Sequence, residues 1–154
     1  MKKVPHWIWT LMLLLVLPAV MALLVLSQPS VSDYVTRSRE LAAAGDVDGA
    51  IALLDAALTV EPENPLLYVE RGLRILLLYE WDRALVDFDH ALALDPSYAD
   101  AYYARGLLYA SVPDASARPD AVADFEQYLR LQPQGIYAED VGRYIAQLQS
   151  SMGE

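Results

Sequence analysis

The sequence predicts an all-α fold: a helical-hairpin solenoid of three units with a C-terminal capping helix, preceded by one transmembrane helix. Three observations predict it. Tyr34, Tyr68 and Tyr102 recur at intervals of 34 residues, and self-similarity at such a period marks a repeat architecture. An apolar stripe at helical spacing recurs with them in the second half of each unit. Residues 7–26 form an apolar run without a single charge, and about 20 residues at ~1.5 Å rise match the hydrocarbon thickness of a bilayer.

The leader, residues 1–30, differs in composition from the rest. It holds both lysines, Lys2 and Lys3, while the following chain sets nine arginines against 21 carboxylates, a formal charge of −12. Within residues 7–26 only Thr10 and Pro18 are not strongly apolar. Proline is tolerated in a lipid-embedded helix, and Trp7 and Trp9 stand where an interfacial aromatic belt would place them. Lys2 and Lys3 flank one end, whereas SQPSVSDY follows the other before Arg37. The positive-inside rule then keeps the N-terminus in the cytoplasm and carries the body across the cytoplasmic membrane as a single-pass protein. The competing expectation is a signal peptide cut after Ala22, which would release a secreted or periplasmic body. That site is a weak one, and the apolar run exceeds the ~7–15 residues of a secretory core.

The acidic body repels phosphate backbones, which argues against a nucleic-acid partner. The chain has no cysteine, excluding disulfides, thiol catalysis and Cys-containing zinc sites.

Each unit reads as two helices. Arg71-Gly72-Leu73 recurs as Arg105-Gly106-Leu107, with Arg37-Ser38-Arg39 in register upstream. The second helix repeats one stripe: Ala50, Ile51, Leu54, Ala57, Leu58, then Ala84, Leu85, Phe88, Ala91, Leu92, then Ala121, Val122, Phe125, Tyr128, Leu129. Pro62, Pro96 and Pro133 close the units, because proline cannot continue a helix. The last interval in the Ala and Pro series is 37 rather than 34, so three residues are inserted in the turn-rich SVPDASARPD. The units are therefore 31–64, 65–98 and 99–135, with the capping helix and tail in 136–154. Asn64-Pro65 reads as an N-cap with proline at the first helical position. Ser97 with Asp100 reads as a capping box, and Gly45 as a left-handed helix stop. The central first helix is expected to run from Leu66 to Tyr79, and the capping helix over 136–149.

Small residues (Ser38, Gly72, Gly106) face Ala50, Ala84 and Ala121 and permit close helix approach. The pattern resembles the tetratricopeptide repeat (TPR), W-x2-L-G-x2-Y…A-x3-F…P over 34 residues. The likeness covers about residues 31–135, with Tyr for Trp, Arg before the small residue, and Leu54 for Phe in the first unit. The resemblance implies a protein–protein interaction scaffold or assembly factor whose concave face, lined by the first helices, holds the partner. Carried onto this chain, that groove is Val35 and Arg39, then Leu66, Val69, Leu73, Leu76 and Leu77, then Asp100, Tyr103 and Leu107. Its central unit is read as wholly apolar. Some family members clamp a chaperone's carboxylate tail with Lys, Arg and Asn in this groove; only Arg39 could serve here, so no such clamp is expected. The apolar centre around Leu73 and Leu77, with acidic rims such as Asp100, favours a protein or peptide with apolar anchors and basic flanks. Three units plus a cap are near the minimum for independent folding, so support from a partner or a second copy of the chain is also expected.

Nothing in the sequence reads as catalytic. There is no P-loop and no G-x-S-x-G elbow. His90 with Asp87 supplies two metal ligands and no third, and Asp87 and Asp124 are placed on outward faces, where no pocket tunes their acidity. No enzyme activity, cofactor or metal is expected.

Overall fold

The computed structural model describes residues 29–152 together with positions 14 and 16. The leader helix expected over residues 7–26 lies outside the described residues. Among the described residues no helix is long and apolar enough to cross a membrane. Among the described residues seven helices follow one another, the first six as antiparallel pairs: α1 (Val31–Ala43), α2 (Val47–Val60), α3 (Pro65–Leu76), α4 (Trp81–Leu94), α5 (Ala99–Ser111), α6 (Arg118–Leu131) and α7 (Ala138–Met152). A 3-10 turn, Ala115–Ala117, takes up the three-residue insertion before α6. The hairpins α1/α2, α3/α4 and α5/α6 stack in chain order, and α7 packs on α6.

The boundaries have local causes. Ser30 caps α1 in a complete capping box with Asp33. Asn64 accepts from the Leu66 N–H ahead of Pro65, which sits at the first turn of α3, where a missing N–H costs nothing. Gly45 ends the first helix at φ +89°, a conformation glycine adopts without a Cβ penalty. Two expectations are corrected. The Ser97–Asp100 capping box does not form: α5 has Tyr98 at its N-cap with no side-chain cap, and Ser97 donates back to Asp95 instead. The central helix α3 ends at Leu76, and Tyr79 turns the chain at φ 60°. Its apolar run therefore continues past the helix into a tight turn.

Ala50, Leu54, Ala84, Phe88, Ala121, Phe125 and Tyr128 are essentially inaccessible. The repeat spacing matters most where α3 meets α4 and α5 meets α6. A Cβ on Gly72 would stand 2.5 Å from the Phe88 ring, and one on Gly106 would stand 2.7 Å from the Phe125 ring. The ring of the second helix thus lies directly on the backbone of the first. The first unit solves the same problem differently: Ser38 replaces glycine and the shorter Leu54 replaces phenylalanine, both fully buried. Serine adds volume on one helix while leucine removes it from the other.

A second repeated device crosses between hairpins. Arg71 of α3 donates from Nε and Nη2 to Asp87 of α4, at 2.9 and 2.7 Å, and from Nη1 to Asp55 of α2, at 2.6 Å. Arg105 of α5 repeats this with Asp124 of α6, at 2.7 and 2.8 Å, and with Asp89 of α4, at 2.6 Å. Each guanidinium lies over a tyrosine ring, Tyr68 or Tyr102, and each is held more firmly charged by its aspartate partner, with burial opposing. Asp87 and Asp124 are therefore not outward carboxylates, as the sequence had suggested. They are buried, each closing its own hairpin while Asp55 or Asp89 ties that hairpin to the one before. The first unit lacks the inner rung, since Leu53 occupies the register of Asp87, and Arg37 stays exposed with only Glu40 at 3.8 Å.

This packing sets what substitutions cost. Gly72→Ala should lower stability by about 1–3 kcal/mol, the usual cost of overpacking. Gly142→Ala, in a helix with nothing within 4 Å of the new Cβ, should raise it by about 0.5–1 kcal/mol; thermal melting followed by circular dichroism reads both. Arg105→Met strands the buried Asp124 and should cost about 3–5 kcal/mol, whereas Arg105→Met with Asp124→Leu should recover most of it. Arg37→Met should stay within about 0.5 kcal/mol of the parent in urea denaturation.

Candidate functional site: the concave face

The first helices of successive hairpins place their inward side chains on one concave face. Arg39 (α1), Leu66, Val69, Glu70 and Leu73 (α3), Tyr98, Asp100 and Tyr103 (at and in α5) and Tyr137 line a single cavity there of about 60 Å³. It holds roughly two waters, so the face is a shallow, largely filled groove. Tyr137, in the connection to α7, stacks on Tyr103 with ring centroids 4.2 Å apart and planes 2° from parallel. Its N–H also donates to the Tyr128 hydroxyl at 3.2 Å. The C-terminal cap thus contributes a wall to the concave face.

Six residues assigned to the groove from sequence come together in it: Arg39, Leu66, Val69, Leu73, Asp100 and Tyr103. The other four do not line it. Val35 is buried in the N-terminal core cluster, Leu76 packs on the central one and Leu107 on the C-terminal one. Leu77 follows the end of α3 and is 53% exposed. Its backbone there is still right-handed, at φ −62° and ψ −22°, so Leu77 stands about one turn beyond Leu73 but outside the lining of the cavity.

The groove's centre is not wholly apolar. Glu70 is buried to 3% exposure and lies between two arginines. Arg39 reaches it from α1 through both Nε and Nη2, and Arg74 reaches it from one turn along α3 at 2.8 Å. A buried carboxylate is tolerated only when charge-paired and hydrogen-bonded, and Glu70 has both. Glu70 raises the affinity of Arg39 for its proton, burial acting against it. At Arg74 burial dominates and lowers the pKa, with Glu70 opposing. Asp100 is pushed above the usual carboxylate range by burial first and by Glu70 second, Arg39 pulling the other way. Tyr98 and Tyr103, both half-buried, are pushed up to about 12, chiefly by burial.

Glu70, Tyr98 and Tyr137 were missed from sequence. Glu70 was legible in part: it precedes Arg74 by four residues, the i,i+4 spacing of a helical ion pair. Tyr137 had no local signal, because it reaches the groove only through the superhelical stacking of three hairpins. His90 is exposed on α4 and lies against Tyr68, with ring centroids 4.3 Å apart and planes tilted by 43°. Among the described residues no group of three or more His, Cys, Asp or Glu side chains could hold a metal ion.

Antiparallel helix pairs stacked in register, with small residues under aromatic rings and a concave face of first helices, define a helical-hairpin solenoid. Its fold is the tetratricopeptide-repeat solenoid. Residues 80–112, covering α4 and α5, match the family model described as TPR repeat. The chain is 30% identical over 112 residues to human tetratricopeptide repeat protein 28, a match that covers 73% of this chain and 4% of that protein. Among solved structures it is similar to the first TPR of Spaghetti (RPAP3) bound to HSP90 peptide SRMEEVD, at 22% identity and a TM-score of 0.70, covering 79% of this chain and 94% of the other. The first TPR domain of the human RPAP3 protein is similar at 27% identity and a TM-score of 0.67, covering 77% and 91%.

Proposed function

We propose that the chain is a membrane-anchored TPR module that holds a protein or peptide partner on its concave face, as a scaffold or assembly factor, with no chemistry of its own. The single observation that carries the partner's character is the Glu70 cluster. Both nearby arginines are committed to Glu70, and Asp100 adds a further carboxylate beside it. The similar Spaghetti domain is bound to an acidic peptide, SRMEEVD. A tail of that kind would meet Asp100 and an Arg39 already neutralised here. The groove instead suits a segment with apolar side chains against Leu66, Val69, Leu73 and Tyr103, and a Lys or Arg beside Asp100. The anchoring rests on the uncharged apolar run of residues 7–26 and the lysines before it, which direct the body to the outer side of the membrane.

A fluorescent peptide with two leucines flanked by lysines should bind at least tenfold more tightly than SRMEEVD in anisotropy titrations. Asp100→Lys should narrow or invert that ratio. Tighter binding of SRMEEVD by the unaltered chain would refute the proposed preference. For the topology, protease added to intact spheroplasts should degrade the body while leaving a membrane-embedded N-terminal fragment. A protected body would place it in the cytoplasm instead.

A further inference from the structure

One wall of the concave groove is a side chain that the chain lays over its own binding face. Tyr103 meets three aromatic rings. Phe125 and Tyr128 lie at 6.3 and 5.7 Å between centroids with tilted planes, and Tyr137 lies at 4.2 Å in a parallel stack. Phe125 and Tyr128 are fully buried, whereas Tyr137 is half-buried and, of the three, is the one that lines the cavity together with Tyr103. The closest ring on Tyr103 therefore belongs to a residue that solvent reaches.

The segment that carries this ring differs from the other connections between hairpins. Four residues join α2 to α3 and four join α4 to α5, but six, 132–137, join α6 to α7. Tyr137 is the last of the six, and its neighbour Ile136 is 85% exposed. Tyr128 stands where the first two units have Ala57 and Ala91, and its hydroxyl accepts the Tyr137 N–H at 3.2 Å. A Cβ on Gly135 would stand 2.3 Å from the same hydroxyl, so the connection is drawn down onto it. Helix α7 has its own hold on the core: Val141 is fully buried, and Ile145 and Leu148 pack on the same cluster. The Tyr137 ring can therefore swing off Tyr103 while the cap stays in place.

We propose that Tyr137 is a built-in competitor for the groove: its ring occupies the seat on Tyr103 that an aromatic side chain of the partner takes when bound. The proposal rests on the concave face being the partner site. What the seat accepts is shown by its present occupant, a ring lying flat on Tyr103 with planes 2° from parallel, and aromatic side chains are favoured anchors at protein interfaces. Leu66, Val69, Leu73 and Asp100 line the cavity with Tyr137 in place, so aliphatic and basic side chains engage them whether or not the ring moves. An aromatic anchor has to displace it. A site open only part of the time binds with its affinity reduced by that fraction, so the connection before α7 sets how tightly an aromatic partner is held.

The test compares two fluorescent peptides on the full chain in phosphatidylcholine nanodiscs. One has two leucines flanked by lysines, and the other has one of those leucines replaced by phenylalanine. Tyr137→Ala should tighten binding of the phenylalanine peptide at least about fivefold and of the leucine peptide less than about twofold. Tyr137→Phe, which keeps the ring, should leave both affinities unchanged. Tyr128→Phe removes the acceptor of the Tyr137 N–H and should tighten the phenylalanine peptide by about twofold; it carries the test should Tyr137→Ala melt early. With Tyr137 labelled as 3-fluorotyrosine, the fluorine resonance should move to that of a solvated ring as the phenylalanine peptide saturates the chain. Equal gains for the two peptides, no gain in either variant, or an unmoved fluorine resonance at saturation would overturn the proposal while leaving groove binding intact. Binding of neither peptide to any of these chains would overturn the concave-face reading and the proposal together.

Discussion

The Phe88 ring rests on the Gly72 backbone and the Phe125 ring on that of Gly106, with no room for a Cβ between them. This contact sets the distance between the two helices of a hairpin, and that distance decides what else can be built. At this approach the Arg71 guanidinium reaches Asp87 with two parallel hydrogen bonds and still extends a third to the preceding hairpin. A bidentate arginine–carboxylate pair demands this geometry and adds direction that an apolar contact lacks. The ring packing supplies most of the driving force, since burying an aromatic side chain is worth about 1.5–3 kcal/mol. The buried ion pairs contribute little net stability relative to apolar substitutes. Their role is to fix the register in which one hairpin follows another.

Register, in turn, creates the concave face. Arg39 and Glu70 are 31 residues apart and belong to different hairpins, yet they form one ion pair because the first helices stand side by side. Glu70 draws in Arg74 as well, so a single buried carboxylate absorbs two cations. The groove is left with apolar walls, half-buried tyrosines and Asp100 as its remaining charge. A surface that in outline resembles a peptide groove has thus had its positive charge cancelled from within.

How much of this could be read from sequence depended on whether the information was local or spread over the stack. The period, the Asn64-Pro65 start and the Gly45 stop are all carried by residues close in sequence, and each was legible; the glycines were read as facing Ala84 and Ala121, whereas Gly72 and Gly106 face the Phe88 and Phe125 rings. The end of α3 was not legible. Ile75-Leu76-Leu77-Leu78-Tyr79 has no proline, glycine or capping residue, and the chain turns there because Tyr79 adopts φ 60°. Asp87 and Asp124 were misplaced for a related reason: a carboxylate beside the apolar stripe looks solvated until the arginine that covers it, 16 or 19 residues upstream, is brought alongside.

The shared pattern of the units also makes their differences informative. The first unit replaces a glycine and a phenylalanine together, Ser38 with Leu54, and the core closes, as a volume-conserving exchange permits. It also replaces the aspartate of the inner rung with Leu53, and Arg37 is left in solvent. In the second unit Ile75 stands where the third has Tyr109, while Val86 stands for Ala123 and Arg83 for Asp120, so the surfaces outside the two rungs differ. Within a repeat, a compensated substitution preserves packing, and an uncompensated one, as at Leu53, leaves its partner arginine in solvent.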